Sequence, residues 1–222
     1  MNKNSEMIIE RIKLMLELRK PKDTALSEIK KQENWEPFKV LIGTILSHRT
    51  KDEVTSLAVE RLFKKYRNPK ELSKAKADEV AQIIKPVGFY NQKTKSIIKI
   101  AKIINEKYNG KVPRSLDELL TLPSVGRKTA NCVLVYGYNE PAIPVDTHVH
   151  RISNRLGLVK TKDPYETERE LAKKLDKKYW IEINELFVRF GKSICKPLKP
   201  SCQICLLKEL CDYYKANYIK ER

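Results

Sequence analysis

Apolar residues recur along this chain at spacings of three and four. Phe38, Leu41, Ile42, Ile45 and Leu46 share one face of a helical repeat. Val54, Leu57, Ala58 and Leu62 repeat the pattern after Asp52, which predicts a helix capped by that aspartate. Ile97, Ile98, Ala101 and Ile104 do so after Asn91, and Ile8, Ile9, Ile12, Met15 and Leu16 after Ser5. Pro21 stops the first of these helices, because its ring removes an amide donor. Leu171 with Leu175, then Ile183, Leu186, Phe187 and Phe190, give two more. Strict alternation never runs beyond about five residues, so no half-buried strand is expected. Only 7 of the 222 residues are glycine, so turns are few. The pattern predicts an all-α fold of about ten helices.

Two seams divide this run of helices. One is the Pro21 region, and the other is Asn139-Glu140-Pro141-Ala142-Ile143-Pro144, a crossing punctuated by prolines. They predict a discontinuous domain of residues 1–29 plus 141–222, with residues 30–140 as a separate helical unit.

Charge narrows the choice of partner. Lys and Arg total 45 against 28 Asp and Glu, a net charge of +17. Such an excess on a small protein calls for a polyanion, most simply nucleic acid or an anionic membrane surface. A membrane span is excluded, because every apolar run falls far short of the roughly 20 residues needed. The N-terminus carries Glu6, Glu10 and Arg11 within its apolar stretch and does not read as a signal peptide. A cytoplasmic, nucleoid-associated monomer is the expectation, and its five cysteines should be thiols or metal ligands.

Cys195, Cys202, Cys205 and Cys211 are spaced C-x6-C-x2-C-x5-C within 17 residues. Four thiolates so close suit a tetrahedral zinc site or an iron–sulfur cluster. A zinc ribbon usually presents two C-x2-C knuckles, and only one is present, which tilts the reading toward a cluster. Cys132 stands apart in the apolar run Thr129-Ala130-Asn131-Cys132-Val133-Leu134 and reads as a core residue.

Residues 115–138 contain a second constellation. Ser115 caps a short helix with Leu116, Leu119 and Leu120 on one face. Leu122-Pro123-Ser124-Val125-Gly126 reads as a tight turn, and Arg127 opens the next helix. The turn's amides and the positive end of that helix suit a phosphate oxygen and carry no base readout. Lys128 lies in its first turn. It is either a phosphate ligand or a nucleophile, since lysine amines form Schiff bases with electrophilic carbons. In Pro144-Val145-Asp146-Thr147-His148-Val149-His150-Arg151, Asp146 precedes a helix bearing Ile152 and Leu156 and reads as its cap. A carboxylate there could stabilise oxocarbenium character as a base leaves its sugar, as in glycoside hydrolysis. His148 and His150 read as structural or phosphate contacts.

LPSVGRKTAN, then VDTH, then C-x6-C-x2-C-x5-C resemble the endonuclease III family of DNA repair glycosylases. The agreement extends to Leu46-Ser47 with Thr50-Lys51-Asp52, to Val87-Gly88-Phe89-Tyr90-Asn91-Gln92-Lys93, and across almost the whole chain. The resemblance implies two helical domains with DNA in the cleft between them, a helix-hairpin-helix, and a 4Fe–4S cluster in the C-terminal loop. It implies excision of oxidised pyrimidines from duplex DNA through a lysine Schiff base, followed by β-elimination at the abasic site. The family's catalytic lysine falls on Lys128 and its catalytic aspartate on Asp146. The loop that fills the gap left by a flipped base reads Ser47-His48-Arg49-Thr50, with Arg49 where Gln is common. The wedge loop has Phe89 in place of Leu. Leu122 to Arg127, Arg49, Phe89 and His148 are the expected DNA-contacting positions. Three alternatives remain open: a mismatch glycosylase on the same scaffold, although such enzymes carry Ser or Tyr at the Lys128 position, a non-catalytic iron–sulfur DNA-binding or redox protein, and a zinc-ribbon protein of the transcription machinery.

Overall fold

The structure is a computed structural model that describes residues 3–31 and 36–219, apart from the side chains of residues 3, 4, 30 and 31. It divides into two units. One comprises residues 1–23 and 141–222, and the other residues 24–140. In chain order the first unit begins with α1 (Lys3–Arg19). The helix starts before Ser5, which is buried inside it rather than capping it.

The central unit carries α2 (Ala25–Lys31), α3 (Pro37–Ser47), α4 (Asp52–Lys65), α5 (Pro69–Ser73), α6 (Ala77–Ile84), α7 (Tyr90–Lys107), α8 (Leu116–Leu120) and α9 (Arg127–Cys132). The last runs on into one π-helical turn over Val133–Gly137. Helix α3 is the hub. Phe38 and every residue from Val40 to Leu46 are buried, because α2, α4, α7, α9 and the π turn all pack on it. A helix covered all round has no polar face to display, which explains its nearly continuous apolar sequence.

The domain boundary expected at residue 29 lies at residue 23 instead. Thr24 starts α2 by accepting the Ser27 amide through its hydroxyl at 3.2 Å. The helix then buries Ala25, Leu26 and Ile29, packing on α3 and α4. Two expected caps also shift. Lys51 is the N-cap residue of α4, with Asp52 and Glu53 in the first turn, where acids favour the helix dipole. Phe89, in left-handed conformation, precedes α7, and Asn91 lies within that helix. Leu57 is exposed, and Thr55 takes its place on the buried face of α4.

The first unit resumes with α10 (Thr147–Arg155), α11 (Pro164–Lys174), α12 (Ile183–Ser193) and α13 (Asp212–Tyr218). Its core joins Ile9 and Ile12 of α1 to Val149 and Ile152 of α10, Leu171 of α11, and Phe187 and Phe190 of α12. The crossing before α10 is buried at Ala142, Ile143 and Val145, and Asn184 of α12 donates to the Pro144 carbonyl at 2.8 Å. Among the described residues there is no strand, and no helix is long and apolar enough to cross a membrane.

Phe187 has no exposed surface, and its ring is among the largest side chains closed into the first unit's core. Phe187→Ala should therefore cost about 3–5 kcal/mol, the range for an aromatic deleted from a close-packed core. Denaturant titration of the variant against the parent checks this.

Candidate functional site

In the central unit, the residues singled out in the sequence gather at helix ends. Helix α3 stops at Ser47, and Arg49 takes a left-handed backbone with φ 54°. Phe89, at φ 59°, precedes α7 in the same conformation. Ser124, at φ 61°, does so in the turn between α8 and α9. Bulky residues seldom adopt this region, so Arg49 and Phe89 are held there by their surroundings. The Phe89 ring is 55% exposed, which removes it from the core, and the Arg49 guanidinium lies 5.1 Å from its centroid. The expected gap filler and wedge thus form one cation–π pair on the surface.

The hairpin turn runs from Leu122 to Gly126, and Arg127 opens α9 as its sequence reading has it. The side chains of Leu122 and Val125 are buried and anchor it, with Val125 N–H donating to the Leu122 carbonyl at 3.2 Å. Ser124 is the left-handed residue of the turn, and Gly126 has φ −95°. A Cβ at Gly126 would meet nothing within 4 Å. Glycine therefore leaves the approach to the start of α9 open, where a side chain would cover it. Pro123, Arg127 and Lys128 are half-buried, and Ser124 and Gly126 are exposed. Any contact made by Leu122 or Val125 must come from the backbone.

Beside Lys128 lies His48, which the sequence did not single out. Its Nε2 is 3.3 Å from the Thr129 hydroxyl. Burial, then the charges of Lys128 and Lys93, push the imidazole down to about 4, so it is neutral at pH 7. Lys93 was also missed. It is only 8% exposed, and burial draws its ammonium down to about 8. A signal was present: continuing the apolar stripe Ile97, Ile100, Ala101, Ile104 back one turn lands on Lys93. A charge inside an apolar stripe needs partners within the fold.

In the other unit Asp146 caps α10 as expected. Its Oδ1 accepts both the His148 and Val149 amides at 2.9 Å. Both bonds fall on one oxygen, leaving Oδ2 outside the cap. His148 is half-buried, and its Nδ1 lies 3.2 Å from Nη2 of Arg151, a structural contact. The same Nη2 donates to the Cys195 carbonyl at 2.9 Å. One turn on, Arg155 donates to the Lys196 and Pro197 carbonyls at 2.8 and 2.7 Å. Its Nη1 is 3.5 Å from the Cys195 sulfur, and its guanidinium stacks 4.3 Å from the Tyr213 centroid. These two arginines, four apart on one helix, hold the start of the cysteine loop.

The four clustered cysteines line one pocket, together with Arg155, Phe190, Lys208 and Tyr213. Burial raises the thiols of Cys202 and Cys211 and pushes Cys205 up to about 11. Among the described residues, no three or more Cys, His, Asp or Glu side chains converge closely enough for a single ion. Cys132 is buried in the central unit.

Comparison with known proteins agrees with this geometry. The family described as HhH-GPD superfamily base excision DNA repair protein matches residues 42–177. Endonuclease III of Thermotoga maritima is 54% identical over 180 residues, 81% of this chain and 84% of that protein. Chloroplastic endonuclease III homolog 2 of Arabidopsis thaliana is 46% identical, across 78% of this chain; the match spans about half, 47%, of the plant protein. A non-covalent endonuclease III–DNA complex superposes with TM-score 0.84 at 34% identity, over 99% of this chain and all of that one. A trapped endonuclease III–DNA covalent intermediate superposes with TM-score 0.83, also at 34% identity, over 97% and 99% of the two chains.

The neutral His48 has a consequence for pH. The unfolded chain binds its proton below about 6.5, but the folded chain does so only near 4. Stability should therefore fall as pH drops from about 6.5 to about 4, because in that window the unfolded state holds more protons. His48→Gln should flatten that part of the curve. Thermal melts of both proteins across the window test this, and parallel curves would refute it.

Proposed function

As this chain belongs to the HhH-GPD superfamily of base excision DNA repair proteins, we propose that it removes oxidised pyrimidines from duplex DNA and then cleaves the abasic strand. The reading rests on one conjunction. A chain that matches endonuclease III–DNA complexes over nearly its whole length carries Lys128 in the first turn of α9 and a carboxylate, Asp146, capping α10. It would act as a monomer on chromosomal DNA in the cytoplasm.

The target base must leave the helical stack before chemistry can begin, and Phe89 and Arg49 are the side chains to occupy the gap. The Lys128 amine attacks C1′ as the C1′–N bond breaks; that electron pair leaves with the base, which takes up the proton shed by the newly bonded nitrogen. Positive charge developing on the sugar is met by the Asp146 carboxylate. The secondary amine then opens the sugar ring to an iminium. Loss of a C2′ proton expels the 3′ phosphate, and hydrolysis of the imine returns the lysine. His48, neutral beside Lys128, adds no positive charge at that end.

The C-terminal loop suits a 4Fe–4S cluster held by Cys195, Cys202, Cys205 and Cys211. The sulfur donors favour iron or zinc, and four thiols spaced around one cavity suit a multi-atom group better than a lone ion. Burial opposes bare thiolates here, so bound cationic metal would supply the charge that stabilises them. When bound, the cluster would brace the loop that Arg151 and Arg155 hold to α10.

Metal analysis of purified protein should find about four irons per chain. Cys202→Ala should lower iron content and melt the C-terminal region. One zinc and no iron would reject the cluster.

Borohydride should trap wild-type protein covalently on abasic DNA, and Lys128→Ala should abolish the adduct. Asp146→Asn keeps a cap acceptor but loses the charge. It should stay folded and bind DNA, while excision falls about a hundredfold, equivalent to some 2.7 kcal/mol. An adduct undiminished in Lys128→Ala would place the nucleophile elsewhere.

A further inference from the structure

Lys93 is a buried charge that the proposed chemistry does not use. An ammonium carries three donors, and three acceptors surround this one. Nζ lies 2.8 Å from the Leu46 carbonyl, 2.6 Å from the His48 carbonyl and 3.3 Å from the Thr50 hydroxyl. The Leu46 carbonyl lies in the last turn of α3 and the His48 carbonyl on its C-cap, past the reach of the helix's own amides. The Thr50 hydroxyl oxygen also accepts the Gly88 amide at 3.1 Å. The two turns then touch directly: a Cβ at Gly88 would sit 2.7 Å from the Arg49 carbonyl oxygen, so only glycine permits the approach. Arg49 and Phe89, the residues immediately beside these contacts, are both held at positive φ.

From this geometry we infer that Lys93 is a positioning residue for DNA engagement. It ties the 46–50 turn to the 87–89 turn, so that Arg49 and Phe89 are presented as one preformed insert that fills the duplex when a base is extruded. The inference deepens the repair reading and rests on it, but the tie itself is a property of the free protein. Lys93 acts through Arg49 and Phe89 and touches no reacting atom. Its loss should therefore spare chemistry at a site whose base is already gone.

Two variants test it. Lys93→Met keeps the buried volume and removes the donors. Thr50→Val removes the bridging hydroxyl but keeps the Lys93 charge and its two carbonyl acceptors, and carries the same measurements should Lys93→Met fail to fold. In the free protein, hydrogen exchange of the Gly88 amide and of residues 48–50 should speed up together, with the interiors of α3 and α4 unchanged. Single-turnover excision of an oxidised pyrimidine from paired duplex should slow about tenfold or more, as expected when an insert loses its placement. Strand cleavage at a preformed abasic site should change far less. In an Arg49→Ala, Phe89→Ala background the Lys93→Met effect on excision should largely vanish, because both act through one step. Unchanged exchange at Gly88, equal losses on the two substrates, or full additivity would overturn the proposal. Should wild-type protein release no damaged base, the repair reading fails, and the exchange measurement alone decides whether Lys93 ties the turns.

Discussion

An α-helix leaves its first amides and last carbonyls without partners, and how this protein meets that constraint determines where its chemistry can sit. Asp146 answers the first amides of α10. Lys93 answers the last carbonyls of α3. Gly126, with an open approach above it, leaves the start of α9 exposed beside Lys128. The same backbone groups that must be satisfied for folding thus anchor the side chains proposed to act.

That arrangement carries strain. Each non-glycine residue in the left-handed region costs on the order of 1–3 kcal/mol unless its surroundings compensate. Asn109 and Asn139 sit there readily, since asparagine tolerates it, but Arg49 and Phe89 do not. Their turns are held by one buried ammonium, one threonine hydroxyl and one close approach at a glycine. An exposed aromatic ring under a guanidinium is a costly feature to keep ordered for stability alone. In the role proposed for it, it is a preorganised surface whose cost is met before DNA arrives.

In the other unit, α10 joins two roles on one short helix. Its N-terminal end holds the carboxylate, its apolar face packs Val149 and Ile152 into the core, and its C-terminal half sends Arg151 and Arg155 to the cysteine loop. Displacement of that loop would be felt by the helix that orients Asp146. Arg155 Nη1, 3.5 Å from the Cys195 sulfur, makes helix and loop one framework.

What the sequence determined by itself was whatever depends on neighbours a few residues apart. Helical spacing specified an all-α chain, and the cap at Asp146, the cap at Ser115, the hairpin around Gly126 and the C-x6-C-x2-C-x5-C loop were all legible, because each is a local pattern. The tertiary structure decided whatever depends on residues far apart in the chain. It moved the domain boundary to residue 23, because α2 buries its apolar face on α3 and α4. It turned Leu57 outward and Phe89 into the surface. It placed Ser124 in the left-handed region within the hairpin turn. It paired Lys93 with carbonyls more than forty residues away and made His48 neutral by burying it beside two lysines. Periodicity records which face of a helix is apolar; which partner satisfies a buried charge is set only when distant helix ends meet.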